Sequence, residues 1–449
     1  DQQWQQPGAA RTPASATADA DHRIAAALDA LEPMHNFMLL LADDQAAPWT
    51  QRCSRHADEM RLLADADALA PLHPSGTRFL LPTDAVADTA GSRRSEAAQT
   101  LVLLHLADRR SPQHTRRWLD RRPITGRRHI RPTLGRDMVR LARLQARTAM
   151  GLVLAGGGAR GLAHLGILRA LQARGIDLDV VGGTSIGAVM AALTALDRPL
   201  DETLAVARTA FRGNPTGDFN WLPMVSLIAG RRLRRLQRLQ RLQRIVHTAL
   251  VALAGDAIDT DDLWKTDFCV ASNDRQAREP VVTRGPLERA MLASMAIPGA
   301  LPPVLHDGDL LCDGGTFNRF PVGVMRAQRG AGQVIGVDLS QNAPRRLDPR
   351  RLDLQEIPGT WALLRDRRRG RGKRRYRLPS LLAYLMNVTI LDSTSRQQRA
   401  RQQTDPYLNP PLRRAGMLPW ARFDSIVAQG PAHGQQVLAR RDTAAAAGG

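Results

Sequence analysis

Three short stretches of this chain carry residue types that could do chemistry together. Gly156-Gly157-Gly158-Ala159-Arg160-Gly161 is a glycine loop able to present backbone N–H groups. Gly183-Thr184-Ser185-Ile186-Gly187 sets a serine between two glycines, and Asp313-Gly314-Gly315 sets a carboxylate beside open backbone. A serine flanked this way fits a tight strand-to-helix turn that exposes its hydroxyl at a helix amino end, where developing negative charge is favoured. Each backbone donor aimed at a tetrahedral oxygen lowers a barrier by roughly 3 kcal/mol. A carboxylate could take the proton of the hydroxyl. The chemistry spelled is acyl-ester hydrolysis with Ser185 as nucleophile. Singly the signals are weak: glycine loops also serve dinucleotides and phosphates, and Asp-Gly-Gly is also a plain turn. The set, in this order, is specific.

The elements that must position these residues follow from the apolar pattern. Leu152-Val153-Leu154 reads as a buried strand that stops at three glycines. Leu162 to Ala173 has helical spacing and ends before Gly175. Leu178 to Val181 reads as a second strand running into Gly182-Gly183, and Ile186 to Leu196 as a second helix. A right-handed crossover would bring both glycine turns to the carboxyl ends of parallel strands. Gly158 and Ser185 lie 27 positions apart, about one such unit. Asp313 follows the apolar run Leu310-Leu311-Cys312 and would stand at a strand end. An ordinary aspartate is a poor base for a serine hydroxyl, so Asp313 would need burial to raise its pKa. Arg160 reads equally as a fixed charge near the loop or as a structural ion-pair member.

The same residues admit other readings. A dinucleotide fold would want an acidic residue at the end of the second strand; Asp177 and Asp179 stand at its start instead. A Ser–His–Asp triad would use His433, whose chain order fits but whose setting, Gln429 to Gly434, is loop-like. His164 reads as a packed helix residue. A catalytically dormant membrane- or partner-binding scaffold is the reading from a different class.

On these residues the chain resembles the patatin-like phospholipases, in particular the bacterial proteins related to neuropathy target esterase. The resemblance rests on Gly156 to Gly166 (GGGARGLAHLG), Gly182 to Ala188 (GGTSIGA), Ala293 to Val304 (ASMAIPGALPPV) and Asp313 to Pro321 (DGGTFNRFP), and covers about residues 148 to 345. It implies a Ser–Asp dyad, with Ser185 the nucleophile and Asp313 the general base. It also implies an oxyanion loop at Gly156 to Arg160, and phospholipid or lysophospholipid substrates. The implied fold is a three-layer α/β/α patatin-like domain with a mostly parallel central sheet. Proteins of this group often carry two asparagines after Asp-Gly-Gly; here Asn318 is followed by Arg319.

Composition bounds the rest. The 449 residues leave room for two or three domains, and 43% hydrophobic content is ample for a core. The expected division is a disordered tail over 1–20, a smaller α/β module over 21–147, the catalytic domain over 148–345, and a basic linker with a helical region over 346–449. Within the second piece, Phe37 to Leu41 and Leu101 to Leu104 read as strands and Met138 to Thr148 as a helix. Cys53, Cys269 and Cys312 form no disulfide framework and no metal-ligand spacing, so no cofactor or metal is expected and a reducing, cytoplasmic location is. No apolar run of membrane-spanning length and no signal peptide are visible, though the chain begins with Asp. The net charge of +20 is carried almost wholly by arginine. It reads as a solvated surface or as attraction to anionic lipid at the inner membrane face; sparse aromatics argue against nucleic acid. Leu236 to Arg244 repeats Leu-Gln-Arg three times, and the three-residue period favours a surface loop over a basic interfacial helix. Arg365 to Arg377 reads as a basic linker, Leu378 to Leu391 as a helix, and Thr443 to Gly449 as frayed.

Overall fold

A computed structural model describes residues 18–43, 47–68, 97–122, 124, 126–212, 215, 240–273, 278–298, 301–328, 331–340, 361, 365–366, 391–412 and 420–447. The chain divides into two compact units, Asp1–Met138 and Val139–Gly449.

In the first unit, β1 (Glu59–Asp65), β2 (Ala98–Leu104) and β3 (Gly126–Ile130) form a parallel three-stranded sheet in that order. Leu101 and Leu103, on one face of the central strand, are buried with Trp118, Leu119 and Ile124. The expected strand at Leu101 to Leu104 is therefore present, and the expected helix near Met138 runs Gly135–Gln145. Phe37 to Leu41 makes no strand: Phe37 is 60% exposed, Leu39 91%, and none of the described strands pairs with it. Apolar composition alone cannot make a strand where no neighbour offers a hydrogen-bonding edge.

The second unit is built on β4 (Ala149–Leu154), β5 (Val180–Thr184), β6 (Thr266–Asn273), β7 (Val281–Val282), β8 (Val304–His306), β9 (Asp309–Asp313), β10 (Ala331–Val337) and β11 (Tyr407–Leu408). The sheet order is β11-β10-β4-β5-β6-β9-β8, with β7 also on β6. Pairing from β11 through to β6 is parallel, whereas β7 and β9 run antiparallel to β6 and β8 antiparallel to β9. The sheet is mixed, where a mostly parallel one was expected. One of the antiparallel pairings is set locally. Asp307-Gly308 joins β8 to β9 with φ of +46° and +83°, the left-handed pair that closes a two-residue hairpin.

The pleat sorts side chains onto two faces. Leu152, Leu154, Val181, Cys269, Ala271, Ile335 and Val337 point into the larger core with the helices Ala163–Ala173, Ile186–Ala195, Gln240–Ala254 and Leu287–Met295. Val153, Ala155, Val180, Phe268, Val270 and Val334 point the other way, against Val322 and Met325 of Val322–Ala327 and Ala400 of Leu391–Gln402. Helices thus flank both faces.

The first part of the Leu-Gln-Arg run, 236–239, and most of the basic linker lie outside the described residues. Gln240 to Arg244, however, opens a helix, and Leu242 is 1% exposed in the core, followed by Ile245, Val246, Ala249, Leu250 and Leu253. That end of the repeat is core, not surface loop: the 3.6-residue spacing begins there. The helix over Gly430–Ala447 also continues past Thr443, where fraying was expected. No helix among the described residues is long and apolar enough to cross a membrane.

That last helix packs tightly against Ala163–Ala173. A Cβ at Gly166 would lie 2.1 Å from the Val427 carbonyl oxygen and 3.0 Å from Gly430 Cα. Backbone cannot yield as a side chain can, so Gly166→Ala is expected to lower unfolding free energy by about 1–3 kcal/mol in urea titration. Gly135→Ala, facing open space, should stay within about 0.5 kcal/mol.

Candidate active site

Ser185 sits where β5 turns into the helix Ile186–Ala195, with φ +56° and ψ −127°. A non-glycine residue in that conformation is strained by about 1–3 kcal/mol and persists only where its surroundings over-determine it. They do. The Ser185 amide donates to Ser294 Oγ at 2.8 Å, and Ser294 Oγ donates to the Val270 carbonyl at 2.5 Å. A Cβ at Gly183 would come within 2.5 Å of the Leu154 carbonyl oxygen, and one at Gly187 within 2.1 Å of it. Both flanking glycines are therefore demanded by the approach of β4.

Asp313 reaches the same point from the other side. It ends β9, whose register opposes Ala271 on β6. Its amide donates to the Ala296 carbonyl at 2.9 Å and its carbonyl accepts from Ser272 Oγ at 2.9 Å. Gly314 and Gly315 turn the chain so that the Gly315 amide donates to Asp313 Oδ1 at 2.7 Å. The remaining oxygen, Oδ2, accepts from Ser185 Oγ at 2.9 Å. Burial pushes the Asp313 carboxyl up to about 6, against the opposing pull of Gly315, Ser185 and the Arg319 guanidinium.

The glycine loop follows β4. Gly158 has φ +58°, and Gly158 to Leu162 form a short 3₁₀ turn into the next helix. Gly156 lies against the serine: a Cβ there would be 3.3 Å from Ser185 Cβ. Ala159, Arg160 and Gly161 are buried, with Gly161 pressed against the Ile186 side chain. Arg160 Nε donates to the Gly157 carbonyl at 3.4 Å, and burial beside Arg319 lowers its pKa to about 10. Among the described residues no carboxylate pairs directly with Arg160.

The histidines stand elsewhere. His164 Nε2 donates to the Ala155 carbonyl at 2.9 Å, and burial holds its pKa down at about 4, so the ring is neutral. His433 Nε2 accepts from the Asn409 amide at 3.0 Å; both oxygens of Asp313 are engaged by Ser185 and Gly315. Among the described residues no group of three His, Cys, Asp or Glu is placed to hold a metal.

Sequence reasoning missed three residues. Ser294 locks the serine turn, and Arg319 binds the glycine loop. Asp338, just beyond β10, accepts from Ser340 N (2.9 Å), Ser340 Oγ (2.6 Å), Tyr407 OH (2.6 Å) and Gln397. Asp338 had one available signal, a charged residue at the carboxyl end of an apolar strand; Ser294 and Arg319 had none beyond lying in the matching segments.

Residues 152–326 match the patatin-like phospholipase family, and residues 15–151 match the neuropathy target esterase family P-loop like domain. The chain belongs to the patatin-like phospholipase family, on its neuropathy target esterase branch. Mouse patatin-like phospholipase domain-containing protein 7 is 29% identical over 458 residues, covering 93% of this chain and 31% of that protein. Lysophospholipase NTE1 of Eremothecium gossypii is 31% identical over 310 residues, covering 67% of this chain and 19% of that protein. The patatin-like chain thus spans less than a third of the length of these curated relatives. VipD from Legionella pneumophila aligns with a TM-score of 0.33 at 15% identity, over 65% of this chain and 67% of VipD.

The buried carboxylate has a stability consequence. Its folded-state pKa of about 6 lies above the ordinary 3.8. The native state therefore holds the proton more tightly, and ionisation penalises the fold. That penalty is absent below about pH 4 and complete above about pH 6. Asp313→Asn is expected to raise unfolding free energy by about 1–3 kcal/mol near pH 8. The gain should vanish as pH falls toward about 4, read by denaturant midpoints across pH.

Proposed function

We propose that this protein is a serine esterase that hydrolyses acyl-ester bonds of phospholipids or lysophospholipids through a Ser185–Asp313 dyad. The observation that carries the reading is the 2.9 Å hydrogen bond from a strained, buried serine hydroxyl to a carboxylate whose pKa is raised to about 6. A base near that value is ionised at neutral pH and still basic enough to take a proton.

Ser185 Oγ attacks the ester carbonyl carbon as its proton passes to Asp313 Oδ2. The oxyanion forms beside the loop Gly156 to Gly161, whose amides, with the amino end of the helix Ile186–Ala195, supply donors and field. Collapse breaks the bond to the leaving alkoxide, which takes the proton from Asp313. Water then attacks the acyl-enzyme, giving its proton to Asp313, and Ser185 leaves with it. No step calls for a cofactor. The lipid substrate class is supported by family membership and by relatives named as lysophospholipases. With the net charge of +20, peripheral contact with an anionic membrane from the cytoplasmic side completes the proposal.

The test is hydrolysis of a p-nitrophenyl ester and a lysophospholipid by the purified chain. Ser185→Ala and Asp313→Asn are each expected to lose about 10⁴-fold or more in kcat; His433→Ala is expected to stay within about twofold, since its ring nitrogen serves Asn409. An unlabelled Ser185 after fluorophosphonate treatment, in a folded and inactive parent, would favour a binding scaffold. Activity of the parent should rise with pH through about 6, as Asp313 ionises, and then level.

A further inference from the structure

Arg319 follows Asn318 in the segment after the Asp313-Gly314-Gly315 turn. Its placement is specific. Arg319 Nε donates to the Gly156 carbonyl at 2.7 Å, and the Gly156 amide donates back to the Arg319 carbonyl at 3.0 Å. These two bonds join the segment after Asp313 to the first residue of the glycine loop. Arg319 Cγ and Ser185 Cβ both lie within 4 Å of the position a Gly156 Cβ would take, so the tie passes directly beside the nucleophile. One bond next door has the same direction: Asn318, through its carbonyl, accepts from Thr184 Oγ1 at 2.8 Å.

We propose that Arg319 is a positioning residue for the esterase reaction, holding the Gly156 carbonyl so that the following peptide presents its N–H to the reacting oxygen. The peptide bond is planar and trans, so a carbonyl fixed at Gly156 fixes the Gly157 N–H in the opposite direction. No acceptor among the described residues is found for that amide. A loop donor held to within a fraction of an ångström is what oxyanion stabilisation requires.

Two further observations fit this role better than a purely structural one. Arg319 Nη2 is buried with no hydrogen-bond partner among the described residues. An idle buried donor weakens a fold, and glue between loops would not need it. The guanidinium also lies in the field of Asp313 and Asp338, with Arg160 in the adjoining loop and Tyr407 on β11. Its charge helps to keep Asp313 ionised.

This inference rests on the serine-esterase reading, and the experiment separates the two. Arg319→Gln and Arg319→Lys are compared with the parent in kcat, KM and the pH dependence of ester hydrolysis, with thermal melting as the folding control. For Arg319→Gln, kcat should fall about 10–100-fold with KM within about twofold, because the loop loses its tie while substrate binding persists. Its acid limb should move to higher pH, because Asp313 loses a favourable charge. Arg319→Lys should return the acid limb to the parental position and recover only part of kcat, since an ammonium cannot hold the Nε geometry. Unchanged kcat and an unchanged acid limb in a folded Arg319→Gln chain would overturn the proposal. So would activity losses that only follow melting temperature in both variants, with no movement of the limb. If the parent itself neither hydrolyses esters nor labels at Ser185, the esterase reading fails first and the role of Arg319 falls with it.

Discussion

One buried hydrogen bond organises the second unit: Ser185 Oγ to Asp313 Oδ2, between residues 128 positions apart. To make it, the fold must bring a carboxylate out of water. That is tolerated because Gly315 and Ser185 occupy its oxygens and Arg319 lies nearby, yet the net effect of burial still wins and the pKa rises. The architecture around it serves this compromise. β6 is the hinge of the sheet, parallel to β5 on one side and antiparallel to β9 on the other. The parallel side delivers the serine at a strand end; the antiparallel side delivers the aspartate. The Asp307-Gly308 hairpin reverses the chain between β8 and β9 in two residues, so β9 carries Asp313 back toward the end of β6 where Ser185 stands.

Strain and order are arranged in the same place. Ser185 occupies a backbone conformation suited to glycine, and the burden is carried by Ser294, by Val270 and by the close approach of β4 at Gly183 and Gly187. The hydroxyl is consequently fixed before any substrate arrives. Asp338 plays a comparable part at the next strand end. Its oxygens take four donors, and those from Ser340 and Tyr407, with the charge of Arg319, hold its pKa below the ordinary carboxylate value despite burial. Two carboxylates a short distance apart in the fold thus stand in opposite electrostatic states, one suited to exchange a proton and one suited to remain an anion.

Much of this was legible in the residues. The glycine turns, the helices after them and the strands before them follow from apolar runs that end at Gly156 and Gly182, because a buried parallel strand leaves a continuous signature. The mixed sheet was less legible, although His306-Asp307-Gly308-Asp309 between two apolar runs is a hairpin signal in its own right. Phe37 to Leu41 shows the converse: composition suited to a strand, with no ladder to join. Leu242 lies in the core although the three-residue repeat points to a surface loop, because the end of the repeat belongs to the helical spacing that follows. The tie made by Arg319 could not be read at all, since 163 positions separate it from Gly156 and nothing local encodes the contact.

The packing of Gly166 against Gly430 and Val427 has a consequence in time. The helix that follows the glycine loop is covered by residues some 260 positions later, and β10 gains its outer neighbour only at Tyr407. During synthesis the serine and aspartate emerge long before the segments that seat the loop beside them. A ribosome-bound chain carries Ser185 and Asp313 without their final support until residues beyond about 430 are free to dock. The hydrogen bond between Ser185 and Asp313 thus reaches its final setting only at the close of folding.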